Sequence, residues 1–153
     1  MWTHMMAVLH YKKPVAVQVF KERRNMELPK TSIAYIDEGH IEILNKILKL
    51  DKITNREEYF TNCIEVLNSL NNDLFEEEEL MKEIHYPGLK IHQLDHESLH
   101  NFFKVFIKPL MFDKSDKDSI IRECVLGLRY HIQKHDVPLA EYINSSDVTI
   151  PGV

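Results

Sequence analysis

The amino-acid sequence predicts an all-α fold: an up-down-up-down antiparallel four-helix bundle with an N-terminal arm. Three observations lead there. From Thr31 onward, apolar residues recur at steps of three and four, the period of one helix face turned to a core. Turn-forming or polar residues interrupt that pattern at Asp51–Thr54, Tyr86-Pro87-Gly88 and Asp113–Asp118, dividing it into four segments. The connections are short, and helices joined by short loops pack most simply as antiparallel neighbours.

Residues 1–30 read as the arm, because Val15, Val17 and Val19 alternate with Ala16, Gln18 and Phe20 between Pro14 and Pro29. In the first helix, Ile33, Ile36, His40, Ile43, Leu44, Ile47 and Leu50 share one face. Asn55, with Glu58 three residues on, is a capping box that opens the second helix. Its apolar face reads as Phe60, Ile64, Leu67, Leu70, Leu74, Met81 and Ile84. It stops at Tyr86-Pro87-Gly88, where proline lacks the amide hydrogen. The third helix runs from about Leu89 to Phe112 with Leu99, Phe102, Phe103, Phe106 and Leu110 on its apolar side. Asp113–Asp118 reads as a turn. The fourth helix covers Ile120 to about His135, followed by Pro138 and a short amphipathic tail to Tyr142. The bundle domain thus spans residues 31–143, and Asn144–Val153, with no helical face, reads as a linker or tail.

Composition narrows the function. A chain of 153 residues, 44% hydrophobic and 28% charged with four Gly and six Pro, suits one globular domain with a real core. The formal charge of −5, with no basic block beyond Lys21–Arg24, argues against a nucleic-acid partner. No apolar run approaches the ~18 residues needed to cross a bilayer. Met1–Phe20 is cut by His10, Lys12, Lys13 and Pro14, unlike a signal peptide. A cytoplasmic location is expected, and Cys63 and Cys124, isolated and without metal-ligand spacing, are expected to be core thiols in a reducing compartment.

The histidines stand out: nine in the chain, seven of them between Gly39 and Asp136. His40 lies in register with Ile36, Ile43 and Ile47, and alone would read as a hydrogen-bonded core histidine. Asp73 and Glu77 form an i, i+4 pair on the second helix, although Glu76–Glu79 also reads as a solvated acidic run. His92 and His96 form an i, i+4 pair on the third helix, a spacing that can place two imidazoles on one metal, with His100 one turn further. The fourth helix brings His131, His135 and Asp136. An ideal helix turns a step of five ~140° away, so spacing does not choose between His135 and Asp136. Taken together, all four helices carry imidazole or carboxylate on faces that converge inside a bundle. Burying them without partners would cost several kcal/mol each, which a metal cluster resolves. The mixed ligand set suits iron or manganese better than structural zinc, and two metals better than one.

Three separated segments resemble the hemerythrin family. Ile36-Asp37-Glu38-Gly39-His40 is similar to its first motif. Glu77-Glu78-Glu79-Leu80-Met81, Tyr86-Pro87, His92 and His96 resemble its second, and His131-Ile132 with Asp136 its third. The resemblance covers about Ser32 to Tyr142 and favours Asp136 over His135. It implies a non-heme diiron centre with a bridging oxo or hydroxo group. His92, His96 and His131 would hold one iron, and His40 and the residue at position 73 the other. Glu77 and Asp136 would bridge them, and Leu128 would line an oxygen pocket. Two departures stand out. The family has histidine where this chain has Asp73, a change that favours the ferric state and argues against reversible carriage. It often has a large aromatic residue where this chain has Gly127, which is expected to open the pocket to solvent. His85, His100 and His135 are substitute ligand candidates. The resemblance thus implies an oxygen or redox sensor, an input domain for a fused or associated signalling output such as a diguanylate cyclase, with molecular oxygen as its ligand. The domain itself is not expected to be the enzyme. The alternatives are an oxygen carrier or store, a diiron oxidase or peroxidase, and a bundle without metal.

Overall fold

The stripe Ile36, His40, Ile43 and Ile47 winds into helix α1 (Ala34–Lys49), and all four side chains are buried. The protein is described by a computed structural model covering residues 26–107 and 114–146. The expected arm falls mostly outside the described residues, as does most of the tail. Asp37 fixes the entry to α1, since its Oδ1 accepts from the Thr31 amide at 2.8 Å and the Thr31 hydroxyl at 2.9 Å. A 3₁₀ turn, Leu50–Lys52, closes α1.

Asn55 caps α2 (Arg56–Glu83), its side chain accepting from the amides of Glu57 and Glu58 at 2.9 and 3.0 Å. The buried stripe of α2 is Tyr59, Cys63, Val66, Leu70, Leu74, Glu77 and Met81. Phe60 and Ile64, expected on the apolar face, are each 43% exposed. The 3–4 ladder that holds register through to Glu77 and Met81 starts at Tyr59, one step of ~100° away from Phe60. At the C-terminus of α2, the Tyr86 amide donates to the Met81 carbonyl at 2.9 Å. His85 takes the left-handed position with φ of 53°, a place usually given to glycine.

Helix α3 spans Leu89–Phe106 and buries His92, His96, Leu99 and Phe103. Helix α4 spans Lys114–His131, so residues 114–118, expected as a turn, are helical. Tertiary contacts stabilise this polar first turn: Lys117 is buried, donates to the Ile53 carbonyl and lies over the Tyr59 ring at 5.1 Å from its centroid. The helical run continues through a π turn, Ile132–Asp136, into α5 (Val137–Ser145). Pro138 is tolerated because the first turn of a helix needs no amide donor there. Asn144 and Ser145, expected in the tail, are still helical.

Helix α1 packs on α2, α2 on α3, α3 on α4 and α1 on α4, giving an all-helical bundle. Among the described residues there is no strand, and no helix is long and apolar enough to cross a membrane. Cys63 and Cys124 are buried free thiols, and burial pushes the Cys63 thiol up to about 11. The apolar interior falls into two clusters. The larger includes Ile43, Leu70, Leu74, Leu99, Phe103, Leu128 and Ile132. The smaller comprises Ile33, Ile36, Leu80, Met81, Ile84, Leu139, Ala140 and Ile143. Along α1, His40 falls between the clusters; along α2, Glu77 does, and along the last helical run Asp136 does. A polar layer therefore interrupts the core at one level of the bundle.

Candidate metal centre

The polar layer is assembled from every long helix. α1 supplies His40, α2 supplies Asp73 and Glu77, α3 supplies His92 and His96, α4 supplies His131 and the π turn supplies Asp136. These seven form two groups that share Glu77. Ligand atoms of Glu77, His92, His96, His131 and Asp136 lie within 4.8 Å of one another, as do those of His40, Asp73 and Glu77.

Asp136 sits at the centre. Its Oδ1 lies 2.9 Å from His92 Nε2 and 3.1 Å from His131 Nε2, and its Oδ2 lies 3.1 Å from His40 Nε2. Glu77 makes a parallel set, with Oε2 at 3.2 Å from His96 Nε2 and Oε1 at 3.5 Å from His40 Nε2. Asp73 Oδ2 is 3.8 Å from His40 Nε2. An α-helical step of five would have turned Asp136 away from His131. The π turn widens the helix by one residue and brings Asp136 back onto the inward face, fully buried. His135 is left to one side, with Nε2 at 3.5 Å from Asp95.

These short approaches are not aligned as hydrogen bonds. Both Asp136 oxygens, both Glu77 oxygens, both nitrogens of His40 and His92, and Nε2 of His96 and His131 are buried without a hydrogen-bond partner. So many unpartnered buried polar atoms would each cost about 1–3 kcal/mol. A cation met by the carboxylate oxygens and the four Nε2 atoms removes most of that cost, leaving only Nδ1 of His40 and His92 without a partner. The donor set of four imidazoles and three carboxylates therefore fits a metal ion, and the division into two groups fits two.

The imidazoles and carboxylates of the layer also act on one another through charge. Burial pulls the His40 imidazole down, but its close approach to Asp136 and Glu77 outweighs this and raises it to about 10. His131 behaves likewise: burial opposes charge, and Asp136, with help from Asp95 and Glu77, raises it to about 10. Burial, reinforced by the Glu77 charge, pushes the Asp73 carboxyl up to about 7. Burial keeps His92 below the ordinary imidazole value. Asp136 is held well below the carboxylate range because, against the cost of burial, His131, His40 and His92 surround it.

Two carboxylates that the sequence reading did not single out complete the surroundings. Glu78 Oε1 faces His96 Nδ1 at 3.0 Å, and Glu78 Oε2 accepts from Gln93 at 2.8 Å. Asp95 Oδ2 faces His131 Nδ1 at 2.7 Å. Glu78 is therefore more than one member of a solvated acidic run. The available signal was that each adjoins a ligand candidate in sequence, Glu78 next to Glu77 and Asp95 next to His96. The partner, however, is in both cases on another helix.

Of the substitute candidates, His85 is exposed at the end of α2, and neither His100 nor His135 belongs to the two groups. Leu128, three residues before His131, is fully buried in the larger apolar cluster. Gly127 does not leave an opening. A Cβ there would meet Phe102 Cε1 at 3.0 Å and Leu99 at 3.6 Å, so an aromatic ring from α3 fills the space that the missing side chain would have taken.

Fold and site together define an all-helical bundle with a buried histidine–carboxylate cluster able to hold metal. No protein-family model, no curated protein and no solved structure matches the chain.

Proposed function

We propose that this chain is a hemerythrin-type domain: an up-down-up-down antiparallel bundle that binds a pair of iron ions and acts as an oxygen or redox sensor. The observation that carries this reading is the convergence of seven side chains from four helices, their buried ligand atoms unpartnered, in two groups that share Glu77. His92, His96 and His131 would hold one iron and His40 and Asp73 the other, with Glu77 and Asp136 between them. When bound, the iron pair supplies a redox couple that can react with molecular oxygen. The chain's own residues hold and shield it. Glu78 and Asp95 orient His96 and His131, and the apolar clusters on either side exclude water. Asp73 is the most exposed of the seven, its side chain 11% accessible against 3% or less for the others, and it marks the side from which a small ligand approaches.

A carboxylate at position 73 favours the ferric state, which supports sensing over reversible carriage. His131 and Asp136 lie on one continuous helical run from Lys114 to Ser145, so a change of charge at the centre acts directly on that run. The deciding experiment is metal content per chain after anaerobic purification with ample iron, followed by exposure to oxygen. About two irons, an absorption change on oxidation and altered hydrogen exchange in Lys114–Ser145 are expected. Absence of iron, or identical exchange in both oxidation states, defeats the sensor reading.

A further inference from the structure

The two halves of the cluster are built unequally. In the first, His96 and His131 each present Nε2 inward while Nδ1 faces a carboxylate, Glu78 at 3.0 Å and Asp95 at 2.7 Å. Such a contact keeps a proton on Nδ1, makes Nε2 the atom that gives up its proton to a cation, and fixes the plane of the ring. The carboxylates are themselves anchored: Gln93 donates to Glu78, and His135 lies 3.5 Å from the other oxygen of Asp95. Three imidazoles therefore meet in one place, two of them, His96 and His131, oriented toward a cation by an outer carboxylate, while His92 has no such partner.

The second half has one imidazole, His40, and neither of its nitrogens has a hydrogen-bond partner. Its ring is positioned only by packing and by charge. Its companion, Asp73, is the most exposed member of the cluster and lies against α1 at Gly39. A cation there must order its own ligands, and that ordering cost reduces affinity.

We infer that the two metal positions fill in sequence: the His92/His96/His131 position first and tightly, the His40/Asp73 position second, weakly and reversibly. Glu78 and Asp95 are the positioning residues that create the difference. This rests on the reading of the cluster as a two-metal centre. It adds that the chain holds a single ion when metal is scarce, and that the second ion exchanges with the surrounding pool.

The test is an anaerobic titration of the metal-free full-length chain with ferrous iron, read by calorimetry and by competition with a chelator. Two separate steps of one ion each are expected. Glu78→Gln and Asp95→Asn should each weaken the first step by about 10- to 100-fold, the usual effect of removing an outer partner. Asp73→Asn should weaken the second step and leave the first in place, and it serves as the independent arm should an outer-carboxylate variant fold poorly. Two ions binding in one step with equal affinity overturn the inference, as does a first step unchanged in both outer-carboxylate variants. A parent chain that binds no iron at all would overturn the two-metal reading itself, an outcome distinct from two equivalent sites.

Discussion

The Asp73 carboxylate presses against the backbone of α1 at Gly39, where a Cβ would stand 2.0 Å from Asp73 Oδ1. Glycine within a helix costs about 1 kcal/mol relative to alanine. Here that cost leaves room for a charged group from the neighbouring helix, directly beside His40.

Gly39→Ala should therefore destabilise the parent by roughly 1–3 kcal/mol, the usual range for overpacking. In an Asp73→Ala background the same change should be neutral, or stabilising by up to about 1 kcal/mol, as helix propensity dictates. Denaturant melts of the four metal-free proteins measure the coupling. An equal cost in both backgrounds would show that the two residues do not compete for space.

Position 73 also bears on redox behaviour. Asp73→His should keep iron and slow autoxidation on the order of tenfold, since a neutral imidazole stabilises the ferric state less than a carboxylate. Absorbance of reduced protein followed in air gives the rate. Autoxidation as fast as the parent would refute this account of Asp73. His131→Ala should instead strip the first iron, which metal analysis reads directly.

The Phe102 ring stands in for the side chain that Gly127 lacks. Phe102→Ala should open the α3–α4 seam, cost roughly 2 kcal/mol (less than a core phenylalanine, because the ring is only half-buried) and speed autoxidation. Adding Gly127→Phe should restore part of both. No change in autoxidation on loss of the ring would mean that oxygen and water do not enter along that seam.

The pH dependence has a definite sign. In the metal-free protein His40 and His131 are raised from 6.5 to about 10, so the stability they contribute is complete below pH 6.5 and disappears as the pH rises through about 10. Asp73, raised from 3.8 to about 7, costs stability as it ionises across that interval. Both effects run the same way, so the metal-free melting temperature should fall from pH 6 to pH 10, by about 3 °C for each kcal/mol lost. Iron affinity should rise over the same window, because the ligands must shed protons to bind. Scanning calorimetry with and without iron tests both, and a metal-free melting temperature that climbs toward pH 10 contradicts the charge pattern.

Much of the bundle was legible from the residues alone. The Ile36–Ile47 stripe, the Asn55 cap and the stop at Tyr86-Pro87-Gly88 are local features, set by periodicity and by backbone chemistry that few residues share. Only the first turns of the α2 face were misjudged, because Phe60 and Ile64 are as apolar as Tyr59 and Cys63 and packing against the other helices selects the stripe; Leu70, Leu74, Met81 and Ile84 are buried as expected. The start of α4 was missed because its polar first turn is stabilised by Lys117 reaching Ile53 and Tyr59, contacts distant in sequence.

The site divides in the same way. Residue spacing alone sets which residue types face inward, because i, i+4 spacing places His92 with His96 and Asp73 with Glu77 on any regular helix. The rest depends on how the helices bend and pack together. A single π turn turns Asp136 inward in place of His135, and one extra residue per turn shifts every later side chain by ~100°. The pairings of Glu78 with His96, Asp95 with His131 and Phe102 with Gly127 each join two helices. Spacing along one helix fixes an angle about its own axis, but which side chain lies opposite depends on how the helices are rotated and shifted against each other.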